Sequence, residues 1–168
     1  MPPHSGPVLV DTNVIFECHR TDTWRALTGG YRLETTEDCV VETQGGKQNR
    51  ERRTEVDETR LRQALSAVHS VSDRQLAQLL LRQGPTLDRG EESLWAHAMD
   101  REDDTWLLAG PDKASLRCGV LLGYRDRLVS LERLLGDLGH RVRNRLREAY
   151  TEAWHRRAMN ELVIELGP

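Results

Sequence analysis

Short apolar runs alternate along this chain with longer stretches in which apolar residues recur every three or four positions. Val8 to Val10 is an unbroken aliphatic run between Pro7 and Asp11, and it predicts a buried strand. A helix is expected behind it, running through Trp24 to Leu27 and stopping at Gly29-Gly30. Tyr31 to Thr35 predicts a second short strand, and Glu37 to Gln44 a short helix ended by Gly45-Gly46. Leu61, Ala64, Leu65 and Val68 follow helical spacing, and SDRQLAQLLLR opens with Ser72 and Gln75 at capping-box separation. These two segments predict a helical hairpin, broken at Gly84-Pro85. Asp88 to Met99 predicts a helix with Leu94, Trp95, Ala98 and Met99 on one face. Thr105 to Ala109 is the next strand, with Asp112 just past it, and Ala114 to Leu122 the helix after it. Leu128 to Ser130 predicts a last strand, followed by a helix over Leu131 to Leu138. Val142 to Leu166 predicts one long helix, striped by Val142, Leu146, Ala149, Tyr150, Ala153 and Trp154.

Strands alternating with helices predict an α/β fold, a parallel sheet sandwiched by helices. Ligands of such sheets bind beyond the carboxyl ends of the strands. Asp11 and Asp112 each fall where a predicted strand has just ended. At 168 residues the chain has the size of one domain with a real core. It holds no apolar run of bilayer length, and MPPHSGP lacks a signal-peptide layout, so a cytoplasmic protein without membrane contact is expected. Cys18, Cys39 and Cys118 form an odd, scattered set, which predicts reduced, buried thiols rather than a disulfide framework or zinc cluster. The histidines, His97 included, show no metal-ligand spacing.

Lys plus Arg number 24 against 27 for Asp plus Glu, a balance that does not announce a nucleic-acid binder. The distribution is uneven. Lys47, Arg50, Arg52 and Arg53 cluster in GGKQNRERR, and Arg141, Arg143, Arg145 and Arg147 in HRVRNRLRE. The first run is a candidate phosphate contact beside an active site. On the predicted long helix the second would spread around the axis and serve solubility.

Asp11, Glu42, Glu91 and Asp112 form a candidate constellation, each at a strand end or on a helix able to face the same rim. Clustered carboxylates repel one another and need compensation, which a hard divalent cation supplies. Each acid also has a structural alternative. Asp11-Thr12-Asn13 suits a turn and helix cap, and Asp88 with Glu91 has capping-box spacing beside Glu92. Glu42 shares its neighbourhood with Glu34, Glu37 and Asp38, and Asp112 follows the turn residues Gly110-Pro111.

VLVDTNVIF, CVVETQ, LDRGEESLWAHAM, TWLLAGPDKAS and LVSLERLL, in that order, resemble the PIN domain, a family of small metal-dependent ribonucleases. The resemblance covers roughly Val8 to Leu138 and sets residues 8–138 as a nuclease domain and 139–168 as a C-terminal helical extension. It implies catalytic roles for Asp11, Glu42, Glu91 and Asp112, with Asp11, Glu91 and Asp112 holding Mg2+ or Mn2+ and Asn13 supporting Asp11. It further implies RNA as substrate, a homodimer, and a toxin role restrained by an antitoxin or other protein partner. One departure is Gly110, where many members carry Thr or Ser two residues before the last acid. That departure and the long tail keep a second reading open, a PIN-fold subunit with weakened catalysis serving as a scaffold. A haloacid-dehalogenase-like phosphatase ranks lower, because Asn13 stands where that chemistry needs a second acid.

Overall fold

The computed structural model describes residues 3–45, 54–83 and 87–167. Strand β1 (Pro7–Val10) is followed by α1 (Thr12–Arg20), α2 (Trp24–Gly30), β2 (Arg32–Thr36) and α3 (Glu37–Gln44). Next come α4 (Glu58–Ala64), β3 (Ala67–His69), α5 (Asp73–Gln83), α6 (Arg89–Met99) and β4 (Leu107–Ala109). The chain ends with α7 (Lys113–Leu121), β5 (Leu128–Val129), α8 (Leu131–Asp137) and α9 (Glu152–Leu166).

The five strands form one parallel sheet in the order β3-β2-β1-β4-β5. Both faces are covered, as an all-parallel sheet requires. Alternation along the central strand divides the core. Val8 and Val10 face a cluster with Leu33, Ala109 and residues of α1, α2 and α8, while Leu9 faces Leu108 and residues of α5, α6 and α7. The chain leaves β1 toward β2 and later crosses to β4 on its other side. The topological switch point therefore lies between the ends of β1 and β4. Among the described residues no helix is long and apolar enough to cross a membrane.

The α/β architecture agrees with the sequence pattern, and all three cysteines are buried and free. Three local expectations are corrected. The helix behind β1 is two helices, because Asp22 adopts a left-handed φ of 58° and Thr23 N turns back to Cys18 O at 2.8 Å. The helical hairpin is absent, because Val68 belongs to a strand. Leu61 and Leu65 are buried as expected, but Ser66 N donates to Leu33 O at 2.7 Å and starts the ladder that joins Ala67–His69 to Glu34–Thr36. The continuation of the helical spacing beyond Ala64 loses to the open hydrogen-bonding edge of β2. The capping box of Ser72 and Gln75 forms, at 2.8 and 3.2 Å. The break at Gly84-Pro85 lies outside the described residues.

The third correction concerns the tail. Residues 140–147 are not helical, Glu148–Tyr150 is a 3-10 turn, and the helix begins only at Glu152, capped by Thr151. The non-helical stretch follows the core instead of its own axis. Leu146 and Tyr150 join the β1 cluster, and Arg147 N donates to buried Glu17 Oε2 at 2.7 Å. The extension is thus packed against the domain. Ala158 and Leu162 cover Leu116 of α7, and Lys113–Glu161 and Arg117–Glu165 pairs bind α9 to α7.

Helices α6 and α7 are locked together by Trp95, fully buried, whose Nε1 donates to Ser115 Oγ at 2.8 Å. Gly119 makes room for its ring, since a Cβ there would stand 2.6 Å from Trp95 Cη2. Gly119→Ala is expected to destabilise the protein by about 1–3 kcal/mol. Urea unfolding measures this, and an unchanged midpoint would contradict the packing described.

Candidate metal centre at the carboxyl edge of the sheet

Strand β1 ends at Val10, but its ladder runs one step further. Asp11 N donates to Ala109 O at 3.2 Å, and Thr35 Oγ1 donates to Val10 O at 2.8 Å. Asp11 is thereby fixed at the switch point, 4 % exposed. It occupies the N-cap position of α1, yet its side chain makes no capping hydrogen bond. Its contact is Asn13 Nδ2, which donates to Oδ2 at 3.3 Å. Burial, then the charges of Asp88 and Glu42, push this carboxyl up to about 7, against the pull of the Thr12 and Asn13 amides. Asn13 Oδ1 is buried with no hydrogen-bond partner among the described residues.

Glu42 on α3 is held from two sides. Thr12 Oγ1 donates to its Oε2 and Gly90 N to its Oε1, both at 2.9 Å. Glycine at 90 is required by this approach, because a Cβ would lie 2.5 Å from Oε2. The neighbouring acids are spent elsewhere: Glu37 pairs with Arg62, Asp38 with Arg89 and Glu34 with Arg101. Glu42 has no cationic partner among the described residues. Burial raises its pKa and Asp88 adds to the rise, opposed by the Thr12 bond.

Glu91 realises its capping box. Its N donates to Asp88 Oδ1 at 2.9 Å, and Asp88 N to its Oε2 at 3.4 Å. It is nonetheless 5 % exposed, and burial followed by the charges of Asp11, Asp112 and Asp88 drives its carboxyl up to about 9. Glu92, beside it, is half-buried, so Glu91 is the acid turned into the rim. Asp112 caps α7 by accepting from Ala114 N at 2.7 Å and Ser115 N at 3.4 Å, both through Oδ1. Cap and site are therefore compatible roles.

All four expected acids share one electrostatic neighbourhood, and a fifth joins them. Asp88 is exposed at the mouth, and its charge acts on Asp11, Glu42 and Glu91. The sequence shows it only as a cap, although its position three residues before Glu91 is the signal that places it here. The expected Thr or Ser is absent at Gly110, but a Cβ there would meet only Asp11 Cβ at 3.7 Å, Leu108 Cδ2 at 3.9 Å and Ser115 Oγ at 4.0 Å. The Ser115 hydroxyl thus sits close to the missing one. Lys47, Arg50, Arg52 and Arg53 lie outside the described residues.

A second cluster is invisible in the sequence. Glu34, His69 and His97 bring three ligand atoms within 4.8 Å of one another, and this is the only group of three such side chains so close among the described residues. The histidine rings stack at 3.8 Å. An internal cation already stands there: Arg101 Nη1 donates to Glu34 Oε2 at 2.6 Å and to His97 Nε2 at 3.1 Å. Burial would raise Glu34, but bonds from His69 and Arg101 outweigh it and hold the pKa low. Burial also pushes His97 down to about 4, so it is neutral and accepts from the guanidinium.

The rim acids have the opposite character. They are spaced more widely than a tight cage, and among the described residues no cation pairs with Asp11, Glu42, Glu91 or Asp112. Carboxylates and a buried amide oxygen without a partner among the described residues, with Asp88 and Asp112 exposed at the edge, suit Mg2+ or Mn2+, which take oxygen ligands while Mg2+ keeps several waters. No protein-family model and no curated protein matches the chain.

The raised carboxyls set the pH dependence of the metal-free protein. Folded Asp11 and Glu91, at about 7 and about 9 against ordinary values of 3.8 and 4.5, bind protons that the unfolded chain has released. These two carboxyls therefore contribute stability that is lost as pH rises through those values, while the buried, neutral His97 acts in the opposite sense below its ordinary value of 6.5. With chelator present, Tm is expected to decline from pH 6.5 to 9, above the range in which His97 titrates. Glu91→Gln preserves the capping box and should raise Tm at pH 8 by at least about 2–4 °C. A flat profile, or a Gln variant less stable at pH 8, would refute the uncompensated charge. Gly90→Ala should displace Glu42 and weaken divalent-ion binding by about 10-fold. Titration calorimetry reads this, and unchanged affinity would remove Glu42 from the site.

Proposed function

We propose that this chain is a metal-dependent ribonuclease of the PIN type, hydrolysing RNA phosphodiester bonds at the carboxyl edge of its sheet. The observation that carries this reading is the buried Asp11, fixed by the β1–β4 ladder, free of capping bonds and surrounded by acids with no cationic partner among the described residues. Asp11, Glu91 and Asp112 are the residues that hold Mg2+ or Mn2+. Bound there, the ion supplies charge compensation for the phosphate and a water of lowered pKa.

The remaining chemistry belongs to the protein. Asn13 orients Asp11 through Nδ2. The Thr12 hydroxyl and Gly90 amide hold Glu42 still, so its carboxylate is positioned to orient the attacking water and accept its proton. Asp88 adds negative charge at the exposed mouth, which favours a divalent ion over a lone phosphate. Hydrolysis adds water across one P–O bond, leaving a phosphate on one RNA fragment and a hydroxyl on the other. The scaffold alternative rests on Gly110, which brings no hydroxyl to the rim.

Asp11→Asn is expected to lower Mg2+- or Mn2+-dependent cleavage of single-stranded RNA at least about 100-fold, about 2.7 kcal/mol at the transition state, with an unaltered fold by circular dichroism. Full activity in that variant would sink the assignment. Stoichiometric Mn2+ binding without cleavage by the unaltered chain would favour the scaffold.

A further inference from the structure

The arginines of HRVRNRLRE change meaning once the segment is seen not to be a helix. Alternation by two scatters side chains around a helix but separates inward from outward positions in a non-helical strand of chain. Val142 and Leu146 pack on the β1 cluster, and Arg143, Arg145 and Arg147 are exposed. They line a cavity of about 830 Å3 together with Arg157. Arg147 has an acid partner, Glu17 at 3.9 Å, and Arg157 has Glu148 at 2.5 Å. The guanidinium groups of Arg143 and Arg145 have none among the described residues. Their backbone is nonetheless pinned, since Arg20 Nη2 donates to Arg145 O at 2.9 Å.

This wall is joined to the acidic rim. Tyr150 Oη donates to Asn13 O at 3.2 Å, two residues beyond Asp11. A second cavity, of about 410 Å3, begins at Lys113 beside Asp112, runs past half-buried Trp154 and shares Glu148 and Arg157 with the first. The first cavity also carries Glu132 and Glu148, so Arg143 and Arg145 are its cations without an acid partner among the described residues, and Trp154 supplies an aromatic face in the adjoining cavity. Arginines next to an aromatic face are a combination that holds single-stranded nucleic acid, by phosphate pairing and base stacking. Arginine also matches phosphate through paired N–H donors.

We propose that the C-terminal segment forms a single-stranded RNA track, with Arg143 and Arg145 binding backbone phosphates of the strand beyond its cleavage point. This rests on the nuclease reading of the rim. The extension would then confer affinity for long strands and take no part in cutting.

The test uses the full chain carrying Asp11→Asn, Mg2+ and a fluorescent single-stranded RNA 20-mer. Adding Arg143→Gln with Arg145→Gln is expected to raise Kd about 10-fold and to reduce the slope of log K against log salt by about 1.4, about 0.7 per lost phosphate contact. In the chain that retains Asp11, the same pair should raise KM for the 20-mer while kcat on a trinucleotide stays unchanged. Both side chains are exposed and have no acid partner among the described residues, so Tm should not move. Unchanged Kd, salt slope and KM in a chain that still cuts RNA would overturn the track and leave the nuclease reading standing. Absence of RNA cleavage and binding in the unaltered chain would overturn both. Loss of binding to an acidic peptide with RNA binding intact would assign the groove to a protein partner instead.

Discussion

The hydrogen bond from Asp11 N to Ala109 O is where this fold becomes a site. It extends the central ladder one residue past β1 and sets a carboxylate at the one place where crossovers part to either side. Everything nearby answers to that charge. Glu42 is drawn in by Thr12 and Gly90, Glu91 and Asp112 sit at the first turns of α6 and α7, and the Trp95–Ser115 bond keeps those two helices in register. Burial makes the charges expensive, and backbone geometry keeps them from moving apart.

The protein treats its buried acids in two ways. Glu34 is compensated internally by Arg101 and His69, and its pKa is held low. Glu91 and Asp11 have no cationic partner among the described residues, and burial with neighbouring acids pushes them far above their ordinary range. A chain able to place an arginine against one buried carboxylate leaves the other set open. That contrast is what makes an external cation the natural complement of the rim. Capping does not compete with this use, because a cap consumes one carboxylate oxygen and the helix amides favour the charged form of the acid.

The C-terminal extension is part of the same economy of contacts. Glu17, fully buried in α1, accepts from Arg20 and from the Arg147 amide, so the helix that starts at Asp11 also anchors the tail. The chain therefore returns to the edge of the sheet that carries the rim acids after α8, where Tyr150 Oη donates to Asn13 O, and residues 143–147 line a cavity with their arginines.

Local pattern was enough for features governed by neighbours in the chain. The apolar runs at β1 and β4, the acids that follow them, the capping residues Ser72 and Asp88, and the alternation that implies a covered parallel sheet are all legible in the sequence. Tertiary structure decided whatever depends on partners far along the chain. Val68 became a strand because β2 offered an unfilled edge, against its own helical spacing. Residues 140–147 left the helix because Leu146, Tyr150 and the Arg147 amide find partners across the fold. Asp88 joined the candidate site through its spacing to Glu91, and His69 met His97 through a contact that no sequence spacing encodes. Sequence alone determined which acids follow β1 and β4. Which charges face one another, and which find a cation, was settled only when the sheet brought distant strand ends to one edge.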